Sequence, residues 1–183
     1  MTRDRTWALV VVVIAVVALG GCVGPFDTGG QSTAEPTATD DPTPTATPVH
    51  GGYDQTTVTV LDDESDAELG AVEAAIADNG TLRYTGLSDT ESLPEHRGML
   101  FVFDGERDLT FVMREMDFAI DIVYVDSNGT ITSIHHAPAP GPDEDGESQR
   151  YPGRGQYVLE VNHNWTTDRG VDVGDRIVFE LPE

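Results

Sequence analysis

The chain has 183 residues, a length that fits one domain plus appendages, and it carries 33 acidic residues against 10 basic ones, all of them Arg. A net charge of −23 excludes nucleic acid as a partner of the folded domain, since that demands a basic patch, and the single cysteine excludes an internal disulfide or Cys-based metal cluster. Acid excess without Lys, tolerable where molar salt screens charges over roughly 3 Å, predicts a halophilic protein, and patterned apolar runs making up much of the 38% hydrophobic content argue against acidic disorder.

Arg3 and Arg5 open a short positive segment, and Trp7–Leu19 is an unbroken apolar run. Its length suits the core of a secretory signal and falls short of the ~20 residues that span a bilayer. Leu19-Gly20-Gly21-Cys22 follows and resembles a lipobox: the small residues admit a peptidase to the backbone, and the Cys22 thiol then accepts lipid. Residues 1–21 are therefore predicted to be a lipoprotein signal peptide and Cys22 the lipidation site. Retention of the run as a transmembrane anchor is the alternative. Either way the remainder is exported and held at the outer face of the cell membrane. Residues 22–52 form a Thr/Pro-rich tract predicted to be a disordered linker, reaching about 3 Å per residue if polyproline-like. Residues 53–183 are left as the folded domain.

Within that domain Thr56–Leu61 alternates cleanly as a strand, and Asp62–Asp66 reads as a turn. Ala67–Asp78 is ambiguous. Ser65 with Glu68 makes a capping box, and Leu69, Val72 and Ile76 make a helical stripe, which leans to helix. Val72, Ala74 and Ile76 also alternate as in a strand, and Gly70 weakens a helix. From Gly98 to Pro140 four apolar runs are separated by turn signals, the first at Asp104-Gly105 and the last at Asp126-Ser127-Asn128-Gly129. Phe111–Arg114, Ile120–Val125 and Thr130–Ile134 are short and rich in β-branched and aromatic residues, as strands of a sandwich or barrel are. Arg150–Gly155 reads as a Gly/Pro loop, Gln156–Val161 as a strand, Asn164–Gly170 as a short helix or turn, and Arg176–Leu181 as the closing strand.

Several of these groups, in this order, resemble the DUF192 family. They are Arg83-Tyr84-Thr85-Gly86-Leu87, Gly98–Phe103, Phe111–Arg114 with Asp121-Ile122, Tyr151-Pro152-Gly153 with Tyr157–Val161, and Gly174-Asp175. The resemblance covers about Val58 to Phe179 and implies a mainly β, compact, jelly-roll-like β-sandwich or barrel with one or two short helices. It further implies a strand at Leu69–Ala77 and a helical turn or two at Gly80–Thr85, with Asp78 as N-cap and Gly86 past the end. It implies no established activity. The family's usual Phe-Trp-Met-Lys-Asn-Thr run departs here: Val112 replaces the Trp, Arg114 the Lys and Glu115 the Asn, so stacking of a ligand on that Trp does not apply.

Asp121 and Glu160 are carboxylates on strands apolar on both faces, where an unpartnered charge costs several kcal/mol. Arg83, Arg114 and Tyr84 are candidate partners. A polar pocket of Arg83, Tyr84, Arg114, Asp121 and Glu160, rimmed by Met99, Phe101, Met113 and Tyr124, is the candidate ligand site, and a structural ion-pair cluster is the alternative. The leading expectation is a non-catalytic binding module for a small polar ligand or surface saccharide. A hydrolase using Asp121 and Glu160, with carboxyls about 5–10 Å apart, is a second reading. An assembly factor with a membrane-protein partner is the third. No cofactor and no metal site is predicted: His135 and His136 are adjacent on a strand and point to opposite faces, His163 lies in a turn, and Asp143–Glu147 lacks EF-hand spacing. No nucleophile elbow, Walker loop or His-Glu-x-x-His occurs. Asn79, Asn128 and Asn164 begin Asn-x-Thr sequons and are candidate N-glycosylation acceptors.

Overall fold

A computed structural model describes residues 50–182. The predicted signal peptide, Cys22 and nearly all of the linker lie outside the described residues. Seven strands dominate: β1 (Gln55–Leu61), β2 (Glu68–Ala77), β3 (Arg97–Val112), β4 (Ile120–Val125), β5 (Ile131–Ala137), β6 (Arg150–Asn162) and β7 (Arg176–Val178). Two short helices, α1 (Gly80–Thr85) and α2 (Trp165–Arg169), follow β2 and β6. The strands form one sheet in the order β5-β4-β6-β3-β2-β1-β7, antiparallel throughout except for β2 beside β3.

The sheet curls until its two edges meet. Thr130 bridges Arg176, and the Ile131 amide donates to the Asp175 carbonyl at 2.8 Å while the Gly174 amide donates to Ile131 at 3.0 Å. The interior of the curl draws buried residues from all seven strands, among them Val58, Val72, Leu100, Val123, Ile131, Leu159 and Ile177, with Trp165 of α2 packed among them. A second apolar cluster covers the other face of the central strands: Met99, Phe101, Ile120, Ile122, Tyr124 and Val158 lie beneath Leu87, Leu93, Met113 and Met116. Strand β4 is buried at every position because it serves both clusters.

The ambiguous segment is the strand β2. Val72 and Ala74 face the interior and Ala75 and Ala77 the second cluster, so both parities are apolar and a helical stripe appears by coincidence. Gly70 is there for space: a Cβ would lie 2.9 Å from the Trp165 ring. Four other expectations are corrected. The N-cap of α1 is Asn79, not Asp78, since Asn79 Oδ1 accepts from the amides of Thr81 and Leu82, both at 3.1 Å. Asp104-Gly105 does not end a strand; it lies in a bulge where residues 103–106 oppose the single residue Gln156, so β3 runs on through both apolar runs. Arg150–Gly155 is not a loop but the first half of β6. Pro152 is tolerated because this half pairs with β3 alone, whereas β4 joins β6 only from Tyr157 onward. The closing strand is shorter than predicted, ending at Val178.

Candidate functional site

A cavity of about 390 Å³ opens between α1, the Gly86–Ser88 segment, the distal half of β3 and the face of β6. Its walls are largely apolar: Leu87, Phe101, Phe103, Leu109, Phe111 and Met116. The fold puts it there because the β3 bulge lets the Phe103–Val112 arm swing over α1, and Arg83 of α1 ties the two together. The Arg83 Nη1 donates to the carbonyls of Asp78 at 2.7 Å and Val102 at 2.6 Å, with the guanidinium 4.9 Å from the Phe103 ring centroid. Arg114 closes the other side. Its Nη2 donates to the Tyr84 carbonyl at 2.5 Å, its Nη1 reaches Glu147 Oε1 at 3.4 Å, and its plane lies 4.0 Å from the Tyr84 ring centroid. Carbonyls orient the Arg83 guanidinium without neutralising it, whereas Arg114 is paired with Glu147, so the uncancelled positive charge at the mouth of the cavity is that of Arg83.

Glu160 stands in the cavity wall. It sits between Met99 on β3 and Ile122 on β4 in the ladder and is 4% exposed. No group among the described residues pairs with it, and burial alone pushes its carboxyl up to about 8. At neutral pH it is therefore largely protonated, with an O–H free to donate to an incoming acceptor. The Tyr124 phenol nearby is pushed up to about 12, by burial first and then by the proximity of Glu160, and donates to the Tyr151 carbonyl at 2.6 Å.

Of the predicted ligand residues, Arg83, Tyr84, Phe101, Arg114 and Glu160 line this cavity. Met99, Met113 and Tyr124 do not; they are fully buried in the cluster beneath it. Asp121 is on the other face. It stands opposite Val161 of β6, one residue out of phase with Glu160, so strand alternation sends the two carboxyls to opposite sides of the sheet. A hydrolytic Asp121–Glu160 pair in one cleft is corrected on that ground. The expected arginine partners are corrected too, since neither carboxylate meets Arg83 or Arg114. Of the apolar walls only Phe101 was predicted; Leu87, Phe103, Leu109, Phe111 and Met116 were not, although Leu87 directly follows the Gly86 that ends α1.

The buried Asp121 is instead the brace of the β6–α2 turn. Its Oδ2 accepts from the Thr166 amide at 3.0 Å and the Thr166 hydroxyl at 2.6 Å, and its Oδ1 accepts from the Asn164 amide at 3.0 Å. Two imidazoles also face Oδ1: His136 Nδ1 at 2.7 Å, from the position opposite Asp121 on β5, and His163 Nδ1 at 3.5 Å. His135, as its parity requires, turns away and meets the Pro152 carbonyl at 2.9 Å. Asp62, Asp63 and Asp175 form a second, purely acidic group, in which Asp175 is engaged by the amides of Asp63 and Asp172. The three sequon asparagines are exposed, but the Thr166 hydroxyl of the Asn164 sequon is buried against Asp121.

No curated protein matches the chain. Two solved structures are similar to it. One is a candidate transcription regulator from Sinorhizobium meliloti 1021, at 24% identity and a TM-score of 0.62, covering 69% of this chain and 95% of the other. The second is a protein of unknown function from Novosphingobium aromaticivorans DSM 12444, at 23% identity and a TM-score of 0.60, covering 71% and 90%. At these identities the likeness is one of fold. The profile of the DUF192 family, described as "Uncharacterized ACR", matches residues 61–179, well over half of the sequence. The chain belongs to the DUF192 family.

Proposed function

We propose that this domain is a non-catalytic binding module for a small polar ligand, of the saccharide type, held in the cavity around Glu160. One observation carries the reading: a buried carboxyl in an apolar cavity, with no partner among the described residues. Such a group is costly unless something hydrogen-bonds to it, and a hydroxyl or carbonyl oxygen entering the cavity supplies that bond. The aromatic walls suit the apolar face of a sugar ring, and the charge of Arg83, which no carboxylate among the described residues pairs, favours a ligand with an acidic substituent, such as a uronic acid. The N-terminal sequence supports placing the module outside the cell, lipid-anchored through Cys22 on the Thr/Pro-rich linker. An intact mass beginning at Cys22 with a lipid adduct is expected; an uncleaved chain would refute the lipid anchor and leave the apolar run as the tether.

The binding test is a thermal-shift screen of the full-length chain in molar KCl against neutral sugars, uronic acids and small metabolites. A ligand at 100-fold over its dissociation constant adds about 2.7 kcal/mol and raises the midpoint by several degrees. The shift should be weakened by Arg114→Ala and abolished by Glu160→Met, which keeps the volume and removes the polar group. A saturable shift unchanged in both variants, or no shift from any compound with a folded domain, would sink the reading.

A further inference from the structure

The bracing of α2 by Asp121 accounts for Oδ2 and for the Asn164 contact at Oδ1. It does not account for two imidazoles from different segments turning the same ring nitrogen toward that one oxygen. The side chains of His136 and His163 are 45% and 36% exposed, while Asp121 is wholly buried. Their rings lie 6.1 Å apart at 82°, and a carboxylate oxygen and one ring nitrogen from each imidazole fall within 4.8 Å of one another. We propose that Asp121, His136 and His163 form a site for a divalent transition-metal ion of the zinc class, completed by water from the solvent side.

Three arguments converge on that ligand. The first is donor chemistry. Two imidazoles and one carboxylate suit zinc and its first-row neighbours, whereas calcium and magnesium select all-oxygen sites. The second is preorganisation. Three protein donors fix the Asp121 carboxylate in place, and outer contacts of this kind orient ligating groups in metal sites. The third is spacing. Zinc bonds of about 2.0–2.2 Å in a tetrahedron set ligand atoms about 3.3–3.5 Å apart. The His163–Asp121 separation of 3.5 Å already meets this. The 2.7 Å His136–Asp121 separation is a hydrogen bond, and the half-exposed His136 ring has room to recede by the remaining fraction of an ångström. Binding then replaces ring Nδ1 protons with the ion, each ring keeping a proton on its outward Nε2. His163 also borders a polar cavity of about 350 Å³ shared with Glu95 and Asp168, which leaves space for water beside the ion.

The test uses the full-length chain, stripped of metal by chelator and titrated calorimetrically with Zn²⁺ at neutral pH in molar KCl. One equivalent should bind. His136→Gln and His163→Gln should each weaken binding about tenfold or more, since even the loss of an outer contact costs that much. His96→Gln, which alters an exposed histidine elsewhere, should leave it unchanged. Co²⁺ should bind at the same stoichiometry with the intense visible absorption of a low-coordinate nitrogen–oxygen site. The wild-type protein gives an independent reading that needs no variant: long-range ¹H–¹⁵N spectra should show the Nδ1 resonances of His136 and His163 moving with Zn²⁺ and that of His135 unmoved. Absence of one-equivalent binding would overturn the proposal. So would binding that survives both substitutions, or spectra in which His136 and His163 stay still. The Glu160 cavity faces away from this site, so the two assignments stand or fall separately.

Discussion

Replacing Glu160 by Gln should abolish a loss of stability with rising pH in a defined window. The ordinary carboxyl value of 4.5 applies in the unfolded chain, and burial raises it to about 8 in the native state. Below about pH 4.5 the group is protonated in both states and adds no penalty. As pH rises toward 8 the unfolded chain releases its proton while the native state keeps it, so stability is lost across that interval at about 1.4 kcal/mol per pH unit. The separation of the two values corresponds to a ceiling of about 5 kcal/mol. The cavity opens to solvent on one side, and water reaching the carboxylate reduces the loss to ~2–5 kcal/mol. Gln is neutral throughout. Denaturant unfolding of the full-length wild type and Glu160→Gln, from pH 4 to 9 in molar KCl, gives a difference curve from which the other titrations cancel. The variant should match the wild type near pH 4 and exceed it by ~2–5 kcal/mol at pH 8.5. A difference curve flat between pH 4.5 and 8 would refute the claim that this carboxyl is buried without a partner.

Other substitutions probe the scaffold that positions the cavity. A Cβ on Gly153 would lie 2.5 Å from the Tyr124 ring, which is pinned by its bond to Tyr151 and by Phe111 and His135 at its edges, so Gly153→Ala should cost about 1–3 kcal/mol in thermal unfolding. Asp121→Ala strips acceptors from the Asn164 and Thr166 amides; a loss of roughly 3 kcal/mol is expected, and a loss under about 1 kcal/mol would contradict the bracing role. Asn79→Ala removes the cap of α1 and should cost about 1 kcal/mol, whereas Asp78→Ala should leave the capping amides untouched, a contrast that equilibrium unfolding reads directly.

The strand content was legible because β-branched and aromatic residues fill Thr56–Leu61, Ile120–Val125 and Gln156–Val161, and the turn at Asp126–Gly129 is written in its residues: Asp126 Oδ1 accepts from the Asn128 and Thr130 amides at 2.8 Å, and Gly129 takes φ +87°. What local pattern does not encode is partnership. Asp104-Gly105 carries the same turn chemistry as a hairpin, yet β6 pairs with β3 on both sides of it, and only that pairing decides. Pro152-Gly153 looks like a loop until Gly153 is seen lying on the Tyr124 ring. Alternation within a strand assigns Asp121 and Glu160 to faces of their own strands, but whether they share a face depends on the β4–β6 register, which no single strand contains. The same holds for His136 and His163, separated by a strand and a loop and joined only through Asp121. Five of the eight proposed ligand residues reach one cavity because the Gly86-Leu87 and Phe111–Arg114 motifs flank its mouth from both sides.

The closure of the curl has a consequence for assembly. Strand β1 gains its outer neighbour only from β7, near the C-terminus, and β7 in turn is latched to the β4–β5 turn through Thr130. A chain emerging N-terminus first cannot complete its interior until β7 has appeared, more than a hundred residues after β1, and pairings of such long sequence range form slowly. Until then the inner faces of β1 and β2 and the edge of β1 are uncovered. A dense negative charge that keeps unfinished chains apart is a fitting companion to a fold that finishes last where it began.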